Sequence, residues 1–276
     1  MEFIIKSKAL YTTWIYYKPD RILFDCGEGI SAKLGNKIYG IEKIFLSHSH
    51  IDHIAGLWGL INTRNNAMGS REKDLTIYYP ENSRQIESYL KFILDSNNHL
   101  RYKLDIMPLS LFDKIGLKNG RFIEPFKTLH TPAEKSYGYR IIERRNKLKE
   151  KYQSFSQNEI IDIVKKYGRE ELNDYYEANI LTVSGDSLPI SPEIANSAET
   201  LIHECTFFVE EDRKIRNHTS LNELKELIRK SNPKRVIIYH VSSRYNSLIR
   251  INESLLREEF PNIDISIIHP EKTYKL

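Results

Sequence analysis

Short runs of β-branched and aromatic residues recur along the first third of the chain, each cut off by a turn signal. Phe3-Ile4-Ile5, Thr13-Trp14-Ile15-Tyr16-Tyr17 and Arg21-Ile22-Leu23-Phe24 form the first group, with Pro19-Asp20 between the last two. Residues of this kind suit a pleated, buried surface, and Pro-Asp presets a turn, so the pattern predicts a β-meander. The glycines of Asp25-Cys26-Gly27-Glu28-Gly29 end the third strand, and a short helix is expected behind them. A buried strand follows at 43–47, then apolar residues at helical spacing from Ile54 to Asn62. Leu75 to Tyr79 reads as a strand stopped by Pro80, and Ser83 to Leu94 as a helix. Further strands are predicted over 103–107, 121–129 and 137–143.

Residues 144–180 change character. Arg144, Arg145, Lys147, Lys149 and Lys151 form a basic run. Ser156-Gln157-Asn158-Glu159 is a capping box, with Ile160, Ile161, Val164 and Tyr167 behind it and Gly168 as a stop. The pattern predicts an inserted helical arm between two core strands, against the plainer alternative of a solvated surface helix. The core then resumes with a strand at 181–184, a proline-led helix start at Ser191-Pro192, and a strand at 201–205. A second capping box opens a helix after Thr219-Ser220, and apolar residues at 221, 224, 227 and 228 mark its buried face. A strand at 236–239, a helix near 249–259 and a strand near 263–268 close the chain. There is no internal repeat and no low-complexity linker. The order predicts an α/β fold of two sheets stacked face to face with helices outside, one domain over 1–276 with the arm as an excursion.

Composition bounds this picture without changing it. With 276 residues, 40% hydrophobic and 28% charged, the chain has apolar material for a large core. No run of about 18 apolar residues occurs, so no membrane span or membrane partner is expected. The N-terminus lacks a basic region followed by a long apolar segment, which points to a cytoplasmic protein. The two cysteines, Cys26 and Cys205, lie in no C-x-x-C pair and are expected as buried, reduced thiols. A net charge of +4, from 41 basic and 37 acidic residues, permits a nucleic-acid partner but does not indicate one.

The chemistry gathers at strand ends. His48-Ser49-His50-Ile51-Asp52-His53 reads H-x-H-x-D-H, three imidazoles and a carboxylate on a strand-to-helix turn. His130, Asp186, His203-Glu204 and His240 also stand at the C-terminal ends of buried-looking strands, where α/β proteins assemble sites. His99 has no such placement and reads as a surface residue. Imidazole and carboxylate are ligands for zinc or manganese. Four such groups so close in sequence do not fit one ion comfortably. They suggest two metals, one on His48 and His50, the other on Asp52 and His53, each needing partners from elsewhere and a bridging carboxylate. Two-metal sites activate water against phosphate esters and, with a different pocket, lactones or β-lactams.

H-x-H-x-D-H, a later lone His, a Gly-Asp and a strand ending in His resemble the ordered motifs of the metallo-β-lactamase superfamily. His203-Glu204-Cys205-Thr206-Phe207, His218-Thr219-Ser220 and His240-Val241-Ser242-Ser243-Arg244-Tyr245 resemble the H-E-A-T-F, H-S-T and H-x-S-x-R-Y motifs of ribonuclease Z within it. Tyr137-Gly138-Tyr139-Arg140 is similar to that family's F-G-Y-R. The resemblance runs over nearly the whole chain. It implies a four-layer αββα metallo-β-lactamase fold. It also implies two Zn2+ per chain (Mn2+ suits the same set), one held by His48, His50 and His130, the other by Asp52, His53 and His240, with Asp186 bridging. Asp52 would also orient or deprotonate the bridging water, and His218, oriented by Glu204, would protonate the departing ribose 3′ oxygen. The arm at 144–180 would be the exosite for precursor tRNA, binding it through Arg144, Arg145, Lys147, Lys149 and Lys151, with Arg244 as a further substrate contact. A homodimer is implied. Three features depart from the family pattern: the arm lacks a Gly-Pro-rich motif, the first turn is Ser7-Lys8-Ala9-Leu10-Tyr11-Thr12-Thr13 rather than glycine-rich, and Cys205 replaces the H-E-A-T alanine. The alternatives are another hydrolase of the superfamily, acting on a small phosphodiester or lactone, and a non-catalytic RNA-binding protein.

Overall fold

Most strands of this chain are apolar on both faces because each lies between two layers. The computed structural model describes residues 2–66, 73–97 and 99–276. One sheet contains β1 (Phe3–Lys8), β2 (Thr12–Tyr17), β3 (Ile22–Phe24), β4 (Lys43–Phe45), β5 (Leu75–Pro80) and β6 (Leu104–Leu109) in sequence order. The other contains β7 (Ile115–Gly116), β8 (Arg121–Lys127), β9 (Tyr137–Leu148), β10 (Asn173–Val183), β11 (Thr200–Glu204), β12 (Arg235–Tyr239) and β13 (Asp264–Ile267). The last strand, β14 (Tyr274–Lys275), returns to pair with β1. Strands β3 to β6 are mutually parallel, as are β10 to β13.

Helices cover the outer faces. Along the first sheet run α1 (Ile30–Leu34), α2 (Ile51–Ile54), α3 (Gly56–Asn65) and α4 (Arg84–Asp95). The arm carries α5 (Gln157–Tyr167), and α6 (Pro192–Ala195), α7 (Leu221–Ser231) and α8 (Ile249–Glu259) belong to the second half. Three apolar clusters follow from this stacking. Leu57, Leu60, Ile86 and Leu90 pack with Ile44 and Ile77 between helices and the first sheet. Phe24, Phe45, Tyr139 and Ile237 fill the space between the sheets. Leu224, Ile228 and Leu256 pack with Ile238 and Ile265 under the second helical layer. In β1 the alternation is explicit: Phe3 and Ile5 point between the sheets, while Ile4 points to the helices. The αββα architecture is thus borne out. Among the described residues no helix is long and apolar enough to cross a membrane.

The arm carries the expected helix, and it stands on a base that the residue pattern did not predict. Strands β9 and β10 run on past the core as an antiparallel ribbon, pairing Glu177 with Arg144, Tyr176 with Arg145 and Asn173 with Leu148. The pairing register shifts between Asn179 and Leu181, where the ribbon leaves the core. Such an irregularity bends a strand out of its sheet. Helix α5 is flanked by 3-10 turns at Glu150–Tyr152 and Arg169–Glu171; its Ser156–Glu159 capping box forms as expected, and it buries no residue. A ribbon wet on both faces needs no hydrophobic alternation. Its strands therefore carry no period-2 signal, and the backbone ladder between β9 and β10 holds them instead.

Candidate metal centre

The stretch from His48 to His53 works because the chain changes conformation inside it. His50 is extended at φ −60°, ψ 144°, and its ring lies 4.6 Å from that of His48; α2 then begins at Ile51 and turns Asp52 and His53 inward. A backbone clamp sets the depth of this turn. Cys26 N–H donates to His53 O at 2.7 Å, and Gly56 N–H donates to Cys26 O at 2.8 Å. A Cβ on Gly56 would run into the Gly27 carbonyl, and one on Gly27 into the Asp52 carbonyl, so both positions need glycine.

The seven ligands expected from the resemblance come together on one rim. His48, His50, His130 and Asp186 form one group whose donor atoms lie within 4.8 Å of one another, and Asp52, His53 and His240 form a second. Asp186 stands between them, its Oδ2 lying 3.9 Å from His48 Nε2, 3.2 Å from His53 Nε2 and 3.1 Å from His240 Nε2. Asp52 Oδ2 is 3.6 Å from His53 Nε2 and 3.4 Å from His240 Nε2, and it accepts from Leu10 N–H at 3.2 Å. The turn that departs from the glycine-rich family pattern therefore delivers an amide to Asp52. Ser7 Oγ, at its start, accepts from His240 N–H at 3.0 Å.

The donor set fits divalent metal. His48 Nε2, His53 Nε2 and Asp186 Oδ1 are buried without a hydrogen-bond partner, and all belong to side chains aimed into the rim. Meanwhile the far side of each imidazole is engaged. His53 Nδ1–H donates to Asp25 Oδ2 at 2.7 Å, and His130 Nδ1–H to the Asn217 carbonyl at 3.0 Å. Ser47 Oγ gives its proton to Asp25 at 2.8 Å, so it accepts from His48 Nδ1–H at 2.9 Å. Thr206 Oγ1 likewise donates to Glu204 at 3.0 Å and accepts from His240 Nδ1–H at 2.9 Å. These bonds place a proton on each outer nitrogen, so the inner nitrogens are the ones able to present a lone pair to a metal. His50 is the more exposed ligand, with Glu134 Oε2 3.3 Å from its Nε2 and its Nδ1 3.2 Å from His130 Nε2.

Electrostatics separate the groups. Burial, reinforced by neighbouring imidazoles, holds His48 well below the usual imidazole range. Burial acts the same way on His53, but Asp186 and Asp25 outweigh it and raise its pKa well above that range. Burial would raise Asp186 and Asp52, and the facing imidazoles instead keep both carboxyls below the ordinary value. His218 is pushed up to about 9, against its burial, by Glu204. Its Nδ1–H donates to Glu204 Oε1 at 2.9 Å. Glu204 is itself fully buried and also accepts from the amides of Ser187, Thr206 and Thr219. The His218 ring stacks on His240 with centroids 5.3 Å apart and meets His130 edge-on at 4.7 Å. Arg244 joins this mouth through Phe207, its guanidinium 6.0 Å from the ring, and it also faces Asp212 at 3.7 Å.

The basic run is not brought to the centre. Tyr137, where β9 starts, is tied to Ser47 at the rim by its amide at 2.9 Å, and β9 runs 12 residues away from it. At ~3.3 Å per residue the far end of that strand lies roughly 35 Å off. Nor is the run free charge. Arg145 pairs with Glu143 and, at 2.8 Å, with Glu199; Lys151 and Lys149 pair with Glu171 at 2.7 and 3.7 Å. Residues 144–180 hold eight basic and seven acidic side chains. Lys147 is exposed on the ribbon.

Sequence reasoning missed the supporting layer. Asp25 had a signal, since it follows a strand end as the ligands do, and it sits at φ 56° with His240 at 58°, a conformation rare outside glycine and common at functional sites. Glu134, which accepts from Ser49 N–H at 2.6 Å, and the Asn217 carbonyl had none. Cys26 and Cys205 are both buried and unpaired, and His99 lies on the surface as expected.

Comparison with known proteins agrees with this geometry. A family model described as anti-Pycsar protein Apyc1 matches residues 6–255. A ribonuclease Z of Bacillus cereus is 29% identical over 272 residues, covering 88% of this chain and 86% of the relative. A ribonuclease BN of Proteus mirabilis is 30% identical over 255 residues, covering 81% and 79%. Among solved structures, the metallo-β-lactamase fold protein YhfI of Bacillus subtilis superposes with a TM-score of 0.67 at 16% identity, over 99% of both chains. The short form of human tRNase Z superposes at 0.66 and 18% identity, over 99% of this chain and 98% of that one. At such identities these two establish the fold alone. From the family match and the identity to ribonuclease BN over most of both chains, the protein belongs to the family described as anti-Pycsar protein Apyc1 and to the ribonuclease Z branch of the metallo-β-lactamase superfamily.

Proposed function

We propose that this protein is a metal-dependent endoribonuclease that removes 3′ trailers from precursor tRNA and leaves a 3′ hydroxyl. The observation that carries the reading is the His218–Glu204 pair at 2.9 Å beside a complete set of metal ligands. In this reading His48, His50 and His130 would hold one zinc ion and Asp52, His53 and His240 the other, with Asp186 placed to serve both groups, a donor set that suits manganese as well. When bound, the two ions supply an activated water and offset the charge of the scissile phosphate.

The chain's own residues do the remaining work. Asp52, anchored by Leu10 N–H, orients the attacking water and takes its proton. A ribose 3′ oxygen leaves poorly as an alkoxide, so its departure needs a proton. His218 donates its Nδ1–H to Glu204, so the Nε2–H is the one available for the leaving oxygen. A positioned acid of this kind contributes typically ~10²–10⁴-fold. Residues 144–180, with Arg144 and Lys147 at the ribbon and Arg244 at the mouth, contact the tRNA. Because the ribbon leaves from the far end of β9, one protomer's arm serves the site of its partner in a homodimer. The unpaired, buried cysteines agree with a cytoplasmic location.

A second reading is favoured by the balanced charge of the arm: hydrolysis of a small phosphodiester, which needs the same centre but no grip on a nucleic acid. A binding protein without catalysis has no use for seven converging ligands. The deciding experiment compares precursor tRNA, a chromogenic phosphodiester and an acyl-lactone on metal-loaded protein, with the tRNA cleavage site mapped. Cleavage of the small ester with precursor tRNA left intact would overturn the ribonuclease reading.

A further inference from the structure

The base of the ribbon holds a cleft that the metal centre does not use. It measures about 580 Å³, within the range of small-ligand pockets, and Asn119, Arg144, Asn146, Glu170, Tyr175 and Tyr176 are among its lining residues. A second cleft of about 540 Å³ adjoins it and shares Arg144, Tyr175 and Tyr176. Within the basic run Arg144 and Lys147 alone are held by no ion pair among the described residues. Arg145 is held by two glutamates, and Lys149 and Lys151 by a third, whereas the Arg144 guanidinium lies over the Tyr175 ring at 5.0 Å from its centroid. Among the described residues it has no ion-pair partner.

The chemistry of the walls selects the ligand class. Glu143 and Glu170 share the cleft with Arg144 and Arg145, so an anion such as a lone phosphate meets both signs. A neutral planar group does not suffer this conflict. A guanidinium backed by an aromatic ring offers its other face for stacking, and the Asn119 and Asn146 side chains offer amide donors and acceptors for a ring edge. Unpaired bases in RNA are held by stacking on aromatic and Arg planes of this sort. We propose that this cleft binds one unpaired nucleobase of an RNA, stacked on Arg144 over Tyr175. The proposal rests on the ribonuclease reading for its substrate class, and it adds a base-stacking subsite remote from the scissile bond.

The test uses the full-length, metal-loaded protein and a fluorescently labelled octauridylate, with binding followed by anisotropy at fixed salt and folding checked by melting temperature and metal content. Tyr175→Ala and Arg144→Lys are each expected to weaken binding about tenfold, the scale of one lost base stack, while Tyr175→Phe keeps wild-type affinity. Arg144→Lys retains charge and loses the plane, so an unchanged affinity for that variant overturns the proposal, as does wild-type protein that fails to bind octauridylate. Precursor tRNA cleavage is scored separately. Stacking-dependent octauridylate binding without tRNA cleavage removes the ribonuclease reading and leaves the subsite. Cleavage with octauridylate affinity indifferent to both variants removes the subsite alone.

Discussion

Replacing Asp25 by Asn should cripple metal binding although Asp25 touches no metal position. Its carboxylate receives three hydrogen bonds: Ser47 N–H at 2.7 Å on Oδ1, and Ser47 Oγ–H at 2.8 Å and His53 Nδ1–H at 2.7 Å on Oδ2. Through Ser47, which accepts from His48 Nδ1–H, and directly through His53, this one side chain steers a ligand in each of the two groups. Asn has the same shape but a single acceptor. Either its NH2 faces two donors, or it turns and faces the Ser47 amide. In the first case His53 relieves the clash by moving its proton to Nε2, the atom that must carry a lone pair for ligation. A hydrogen bond to a charged group is worth ~1.5–3 kcal/mol, and loss of such an outer partner typically costs ~10–100-fold in metal affinity. The two ranges agree, since every ~1.4 kcal/mol is tenfold. Competition with a metal-sensitive chelator, read as divalent metal retained per chain, measures the effect without any activity assay. An Asp25→Asn variant that retains metal with wild-type affinity would refute the inference that Asp25 sets the imidazole tautomers.

Four further outcomes follow from the same geometry. His218→Ala should lower precursor tRNA cleavage by ~10²–10⁴-fold yet spare a nitrophenyl phosphodiester, whose leaving group needs no acid; equal losses on both substrates would assign His218 a structural role. In Glu204→Gln the alkaline fall of tRNA cleavage should move down from about 9 toward the ordinary imidazole value, because Glu204 is what raises the His218 pKa; a pH profile decides it. Glu223, held down to about 2 by Arg213 and its cap bonds against burial, contributes stability that is present above the ordinary carboxylate pKa and lost as pH falls through 2. Glu223→Gln should therefore cost ~1 kcal/mol at neutral pH, the scale of a helix cap, with the melting difference closing in acid. Deleting 146–178 should keep small-ester hydrolysis and abolish precursor tRNA cleavage; efficient cleavage by the armless chain would remove the arm from substrate binding.

What local pattern encodes, the sequence by itself determined. Both capping boxes, at Ser156 and Ser220, form where the residues predict them, because a cap is a contact between neighbours three positions apart. The buried strands were legible from their apolar runs. So was the gathering of His and Asp groups that could hold a metal, since the residue types at 48–53 and at the later strand ends have few other uses in such places. What depends on partners far along the chain, only the tertiary structure decided. The helix of the arm stands on a two-stranded ribbon, in which Arg144 lies opposite Glu177 and Arg145 opposite Tyr176, and a ribbon solvated on both faces leaves no periodicity to read. The same fold neutralises most of the basic run by setting it against Glu143, Glu171 and Glu199, which a count of positive residues cannot foresee. It also joins Asp25 to His53, Glu134 to His50 and Leu10 to Asp52. Ligands are recognisable by chemical type. The groups that orient them are ordinary residues, made functional only by where the sheets bring them.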